Sequence, residues 1–565
     1  MLTIEQMTPE QKIGRVICFR RVQYPDDLAF TLEMIRKEAV GCVQVGHGPE
    51  AVARIKLLRE AADYPLLIIN DMERCYPASG LPPIPTISLA ATGNPEYVRL
   101  FAAAIAKNAR ADGWSGAWSP VVDIMHSDKE PLSASRKAGD TPEMVTDFGR
   151  EFLKAFNSYH FQSACKHFPG GKGVPHLAGI DGHMAKGYSP ATAEELVSTT
   201  LLPYKRLYDE GLLRGVMIGH GRYPKIDPVY PASLSKKIIS LLRDTGFNGV
   251  LFTDSFAMMS ILQEFGEEEA MVLALNAGND ILLPNYRTPT RKVYDALLKA
   301  YYDGRIEDAR LDEAVRRVMA AERWCAEEPE APIPVPENIA EVMENVARDC
   351  ITAVCAEGVP TAIDTEARRL FVVLTPMGHE LGAPAMEISH NAYYDPDRVA
   401  AAIRERFPNA EITSLAEYAT SQNNDRVLTA AAGHDKVVFV SFCDSAAYLG
   451  TDCLTRRAES VSWRWSLRVY WKHTSTSATP WRCAFCRGRH AASTATTFPP
   501  RRSMRLMCWQ GATPPREGCL FPRWRATRIC KRIAFLTARS GCSVASRDSK
   551  APMTMLIGAF AYGGV

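Results

Sequence analysis

The sequence predicts an α/β protein: a (β/α)8 barrel of the TIM type, a smaller α/β sandwich domain, and a C-terminal tail of aberrant composition. Three observations predict it. Between residues 14 and 284, eight short apolar runs alternate with longer amphipathic stretches. A Pro- and Glu-rich segment, EEPEAPIPVPENI at 327–339, then separates this block from a second, shorter alternation. Finally, residues 451–565 hold 17 Arg and 3 Lys against 4 acidic residues, a net of +16, while residues 1–450 come to −14.

The eight runs are RVICF (15–19), VGCVQVG (40–46), PLLIIND (65–71), GAWSPVVDI (116–124), SACKHF (163–168), GVMIGH (215–220), GVLFTD (249–254) and DILLP (280–284). Each is short and bounded by turn residues, as parallel strands covered on both faces are. The first helix is marked by Thr8 as N-cap, Pro9 at its first position and Gln11 closing a capping box. Later helices read as EYVRLFAAAIAKNARADG and PEMVTDFGREFLKAFNSY. A doubly wound open sheet is the alternative, but eight consecutive β–α units favour closure. Beyond the linker come a helix at 340–358, strands at 369–376, 410–415 and 436–442, and helices at 396–407 and 424–433. The alternation stops near residue 460. The expected organisation is therefore a barrel at 1–326, a linker at 327–340, a partial α/β sandwich at 341–460 and the aberrant tail at 461–565.

Composition excludes several classes. No apolar run reaches the ~18–20 residues that cross a bilayer. The N-terminal MLTIEQMTPEQKIGRV lacks the basic-then-apolar layout of a signal peptide, so a cytoplasmic location is expected. Eight of the 15 cysteines are scattered over the first 450 residues, mostly among apolar neighbours, which suits reduced core thiols. GGKGV at 170–174 is not a phosphate loop, because no Ser or Thr follows its Lys. There is no HExxH, and CAFCRGRH at 483–490 lacks a second ligand pair, so no metal site and no cofactor are expected.

The polar residues gather at strand ends. Asp71, Asp123, Lys166, His167, His220 and Asp254 all close apolar runs. In a barrel those ends share one face, where catalytic groups collect. A carboxylate held rigidly at the end of a strand, as Asp254 is, can serve as a nucleophile. The loop after His167 ends on Asp181-Gly182-His183. A His titrates near neutrality, and a carboxylate two residues away can fix its tautomer and raise its proton affinity.

These motifs resemble glycoside hydrolase family 3, in its β-N-acetylhexosaminidase-like branch. The resemblance rests on KHFPGG…DGH, GVLFTDSFAM, QKIGRVICF, VGCVQVG, WSPVVDI, SRKAGDTPEMVTDFGREFLKAF, VMIGHGRYPKIDPVYPASLS and ALNAGNDILL, in order over about residues 8–285. It implies a retaining exo-β-glycosidase acting on small oligosaccharides or glycosides, with Asp254 as nucleophile and His183, oriented by Asp181, as acid/base. It implies that Asp71, Arg136, Lys166, His167 and His220 bind substrate, and it implies a role in cell-wall fragment recycling. Gly182 replaces the usual Ser, and Met72, Arg74 and Cys75 replace Gln and two glycines. The loop is longer than usual and holds His176, a reserve acid/base. Rival readings are a β-glycoside phosphorylase or β-glucosidase of the same family, and a carbohydrate-binding protein without turnover. No membrane and no nucleic-acid partner is expected, although an Arg-rich tail with six of the nine Trp could otherwise suit one.

The tail is explained better by a shifted reading frame. Back-translated and read in the −1 frame, LMCWQG (506–511) forces Val-Leu-Ala. TSTSATPWRC (474–483) permits Ile-His-Phe-Gly-Asn-Pro-Met-Ala-Leu, and GCLF (518–521) permits Leu-Pro-Val. These are segments of the two-domain family members, in order. A frameshift near residues 458–464 is the expectation.

Overall fold

The computed structural model describes residues 2–46, 50–74, 81–125, 136–170, 182–183, 185–352, 369–375, 396–416, 420–434 and 437–440. The tail, and with it the frameshift expectation, lies outside the described residues.

Strands occupy all eight apolar runs. They are β1 (Cys18–Phe19), β2 (Cys42–Gln44), β3 (Leu67–Asn70), β4 (Gly116–Ala117), β5 (Gln162–Ser163), β6 (Cys165–Phe168), β7 (Gly215–Ile218), β8 (Val250–Ser255) and β9 (Ile281–Leu283). The run at 163–168 carries two pieces, β5 and β6, which part at Ala164, where the backbone N–H turns to Ala117 O and Ser119 O. All pairings are parallel, in two sheets ordered β1-β2-β3-β4-β5 and β6-β7-β8-β9. Parallel bridges join Ile17 to Leu282 and Val121 to Lys166.

Helices cover the sheets, and their ends follow the sequence. Thr8 caps Pro9–Arg15: its hydroxyl accepts from the Gln11 N–H at 3.4 Å and its own N–H donates to Gln11 Oε1 at 2.8 Å. Asn94 and Thr141 cap the two 17-residue helices Pro95–Ala111 and Pro142–Ser158, each with Pro at the start. Both bury one apolar face, including Phe101 and Ile105 on the first and Phe152 and Phe156 on the second. Between the sheets lies a separate core. Cys18, Cys42, Leu67, Ile69, Trp118, Ala164, Met217, Val250, Phe252, Ile281 and Leu283 form one buried cluster with Val318 and Ala321 of helix Asp308–Ala326.

That helix is fastened to the first by a buried ion pair. Arg15 Nη1 lies 2.6 Å from Glu322 Oε1, and both side chains are 0% exposed. The Arg15 guanidinium also stacks over Tyr64 at 4.3 Å. The neighbouring backbones approach so closely that a Cβ on Gly41 would stand 2.2 Å from the Arg15 carbonyl oxygen.

The second alternation forms a three-stranded parallel sheet of β10 (Arg369–Thr375), β11 (Ala410–Ala416) and β12 (Val437–Val440), ordered β11-β10-β12. The central β10 is buried along its length. Helix Ser421–Ala432 covers one face and Pro396–Arg406 the other. Between the two units Ile333 docks on the end of helix Pro142–Ser158: Tyr159 Oη donates to its carbonyl at 2.6 Å.

Candidate active site

Because the strands are parallel, residues at their C-terminal ends lie along one edge of each sheet. Arg20 follows β1, Gln44 ends β2, Asp71 follows β3, Lys166 and His167 lie on β6, His220 follows β7 and Asp254 lies on β8.

Lys166 is the hub of a charged cluster. Its side chain is 2% exposed, so its ammonium requires partners. It bonds Asp71 Oδ1 and lies 2.7 Å from Glu73 Oε1. Arg136 grips Glu73 with both forks, Nε to Oε2 at 2.7 Å and Nη2 to Oε1 at 2.5 Å. Burial opposes ionisation of Glu73, but Arg136 and Lys166 outweigh it and hold the carboxyl well below its usual range. Burial likewise opposes the Lys166 charge, and Asp71 and Glu73 reverse that and raise its pKa. Two carboxylates and two cations cancel, so the cluster offers strong donors and acceptors without net charge. That suits an uncharged polyhydroxyl ligand. Asp71, 54% exposed, carries the cluster to the surface.

His167 stands beside it. Its Nδ1 lies 2.9 Å from Asp123 Oδ2, and its backbone N–H donates to Oδ1 at 2.8 Å. A carboxylate can only accept, so Nδ1 carries the proton and Nε2 is left as the acceptor of the neutral ring. Burial pushes the His167 pKa below its ordinary value, against the pull of Asp123 and Asp254, which keeps the ring neutral.

Asp254 is fixed by its own neighbour: the Ser255 N–H donates to Oδ1 at 2.7 Å. Ser255 is in turn held from two further sides. Arg20 Nη1 donates to its hydroxyl at 2.7 Å, and His220 Nε2 donates to its carbonyl at 3.1 Å. The Ser233 hydroxyl supplies a proton to His220 Nδ1 at 2.7 Å. His220, 3% exposed, thus sits behind the strand end and supports Ser255. Arg20 also bonds Gln44 Oε1 at 2.5 Å and the Pro284 carbonyl at 2.7 Å, and Gln44 Nε2 reaches Asn70 Oδ1 at 3.0 Å. Burial lowers the Arg20 pKa, while the Asp71 and Asp254 charges pull it back up. Arg20 therefore lies within the field of both carboxylates.

His183 belongs to a segment docked on the chain just beyond Asp254. Its carbonyl accepts from the Met259 N–H at 3.3 Å, and the Gly182 carbonyl from Ser260 N–H at 3.1 Å. Asp181 and His176 lie outside the described residues.

The structure thus gathers Asp71, Arg136, Lys166 and His167 in one network, links Asp254 to it through Arg20, and sets His220 in support. Sequence reasoning missed Glu73, Arg20 and Gln44. Each carried a weak signal: Arg20 directly follows the first apolar run, Gln44 is the one polar residue inside the second, and Glu73 stands two residues past Asp71.

The sequence model of the Glycosyl hydrolase family 3 N terminal domain matches residues 27–321, more than half of the chain. The chain is 28% identical over 341 residues to a beta-N-acetylglucosaminidase/beta-glucosidase of Cellulomonas fimi, covering 56% of this chain and 58% of that protein. It is 31% identical over 240 residues to beta-hexosaminidase LpqI of Mycobacterium tuberculosis, covering 41% of this chain and 60% of that protein. It spans about three-fifths of the length of these curated relatives. Among solved structures, a family 3 beta-N-acetylglucosaminidase from Paenibacillus sp. FPU-7 superposes with a TM-score of 0.63 at 25% identity, over 77% of this chain and 85% of that one. The beta-glucoside phosphorylase BglX shares the fold, with a TM-score of 0.62 at 20% identity over 80% of this chain and 82% of that one. No helix among the described residues is long and apolar enough to cross a membrane.

Proposed function

The chain belongs to glycosyl hydrolase family 3, and on that premise we propose that it is a retaining exo-β-glycosidase releasing terminal β-linked N-acetylhexosamine from small glycosides. The observation that carries this is the pairing of a fixed carboxylate, Asp254, with a charge-balanced cluster suited to sugar hydroxyls. Asp254 attacks the anomeric carbon while His183 gives a proton to the departing oxygen. The bond to the leaving group breaks and a glycosyl-enzyme forms. His183 then takes a proton from water, which attacks the same carbon and frees Asp254. Asp181 orients His183. Asp71, Lys166, Arg136 and neutral His167 bind the sugar, and His220 acts on it through Ser255. No metal or organic cofactor enters these steps.

We infer further that the two sheets are one closed (β/α)8 barrel over residues 1–326. The parallel bridges Ile17–Leu282 and Val121–Lys166 support it, as does the single core cluster fed by strands of both sheets. Residues 327–340 then act as linker, 341–460 as a partial α/β sandwich and 461–565 as a frameshifted tail. A reducing, cytoplasmic setting is supported by the described cysteines, which are buried free thiols.

The test is a panel of aryl β-glycosides assayed with the wild type, Asp254→Ala and His183→Ala, with and without phosphate. N-acetylglucosaminide hydrolysis that both substitutions abolish supports the proposal. Sugar 1-phosphate formed only with phosphate assigns a phosphorylase instead. Binding without turnover assigns a carbohydrate-binding protein.

A further inference from the structure

The segment carrying His183 is tied to the wall of the site at successive points. Gly182 and His183 give their carbonyls to the N–H groups of Ser260 and Met259. Three residues on, Lys186 Nζ lies 2.8 Å from Glu264 Oε2. The next residues form a parallel bridge, Tyr188 to Arg222: the Arg222 N–H donates to the Gly187 carbonyl at 2.9 Å, and the Ser189 N–H to the Arg222 carbonyl at 2.7 Å. The Arg222 side chain, 9% exposed, closes the circuit by bonding the same Glu264 oxygen that Lys186 holds, and its Nη1 donates to the Val229 carbonyl at 3.1 Å.

Glu264 is thus the one carboxylate that both arms of this strap share among the described contacts. It lies just beyond helix Met259–Leu262, which begins five residues after Asp254. Arg222 lies two residues after His220, which holds Ser255 beside Asp254. Strap, clamp and nucleophile support are therefore built on the same two chain segments.

We propose that Glu264 is a positioning residue: by joining Lys186 to Arg222 it holds the His183 segment at a fixed offset from the strand that carries Asp254. The inference rests on His183 serving as acid/base. Protonation of a leaving oxygen requires an acid placed to within about an ångström, and misplacement on that scale costs on the order of 100-fold in rate. The clamp supplies placement and touches no substrate.

The experiment compares Glu264→Ala with the wild type on aryl β-N-acetylglucosaminides of graded leaving-group acidity. The expected result is a loss of about 10- to 100-fold in kcat/KM for poor leaving groups and little loss for the best ones, which depart without a proton. In a His183→Ala background Glu264→Ala should cause no further loss, because it acts through His183. Glu264→Gln, which keeps an acceptor in place, should recover part of the activity. Lys186→Met, which removes one arm and leaves Arg222 paired, should give the same pattern at smaller amplitude. Amide exchange in 185–189 should quicken in Glu264→Ala while exchange in β7 and β8 stays unchanged. Equal losses across all leaving groups, additivity with His183→Ala, or unchanged exchange in 185–189 would each overturn the clamp. Failure of the acid/base reading is separate: His183→Ala would then show no leaving-group dependence of its own.

Discussion

Lys166 Nζ and Glu73 Oε1 lie 2.7 Å apart, and this contact joins the strand-end lysine to the arginine that reads as a substrate ligand, because Glu73 is also held by Arg136. Removing Glu73 leaves two cations in a largely buried space without their shared partner. Breaking such a pair from one side destabilises by about 3–5 kcal/mol. Glu73→Gln should therefore lower the unfolding midpoint. It should also raise KM on aryl glycosides about tenfold or more, since each tenfold is only about 1.4 kcal/mol of binding. Thermal unfolding and steady-state kinetics on one preparation check both. An unchanged midpoint would show that the network does not bear on stability.

Glu73 also marks where the sequence stopped being readable. The eight apolar runs announce their strands because parallel strands covered on both faces read as short, mostly apolar stretches bounded by turn residues. In the second unit the buried central strand β10 is legible for the same reason. Asp254, Lys166 and His167 could be named because each closes a run. What the runs do not carry is partnership. Arg20 meets Ser255 across 235 residues, and Arg15 meets Glu322 across 307. Only the folded chain makes such pairs, and no local period encodes them. Direction is lost too. At a strand end one residue of offset turns a side chain from one face to the other, so the run that His220 closes does not announce its bond to the Ser255 carbonyl.

That position of His220 separates two roles by kinetics. A ligand of the sugar, once removed, raises KM; a support for Ser255 lowers kcat. His220→Ala should reduce kcat by about 10- to 100-fold with KM near its wild-type value, whereas His167→Ala should act mainly on KM. Saturation curves for the two variants decide it. A KM effect alone for His220→Ala would return it to the ligand set.

Acid should unfold the protein in two stages of the same sign. Burial opposes the Asp123 charge, but His167 and Lys137 overcome it and hold the carboxyl below its ordinary value. A depressed carboxyl stabilises the fold above about pH 3.9, and that contribution is lost as pH falls from there through the native value. Burial lowers His167, so below about pH 6.5 the unfolded chain takes this proton first and stability falls as pH falls. Urea midpoints measured from pH 8 down to pH 3 should hold to about pH 7 and then decline, first through the His167 stage and again below about pH 4. Asp123→Asn should start about 2 kcal/mol lower at pH 7 and flatten in the lower stage. Midpoints that rise toward acid would contradict both signs.

The Arg15–Glu322 pair should behave as a fastener whose single halves are worse than none. Both side chains are 0% exposed, and burial pushes the Glu322 carboxyl up to about 8 even beside Arg15, so its charge depends on that partner. Arg15→Met leaves Glu322 buried and unpaired, at a cost of about 3–5 kcal/mol. The double variant Arg15→Met/Glu322→Leu removes both charges and should recover most of that loss. Urea denaturation of the two variants and the wild type measures the difference. A double variant no more stable than Arg15→Met would show that the packing around Tyr64, not the charge, holds the two helices together.

A chain under selection to pack one α/β unit has no physical reason to change from a net of −14 over residues 1–450 to +16 over 451–565. A change of frame has that effect at once, because base composition is then read without regard to side-chain chemistry. The Val-Leu-Ala forced in the −1 frame at 506–511 requires no choice of codon, and the flanking segments at 474–483 and 518–521 return in the same frame and in order. Resequencing codons 455 to 465 should therefore reveal a one-base departure from an open frame that continues the second unit past β12. The frame-corrected chain, expressed beside the present one, should unfold at a higher temperature, because a sequence selected to extend the sheet can pair its edge and a shifted one is not so selected. An unbroken frame through that region, together with a cooperatively folded tail, would refute the shift.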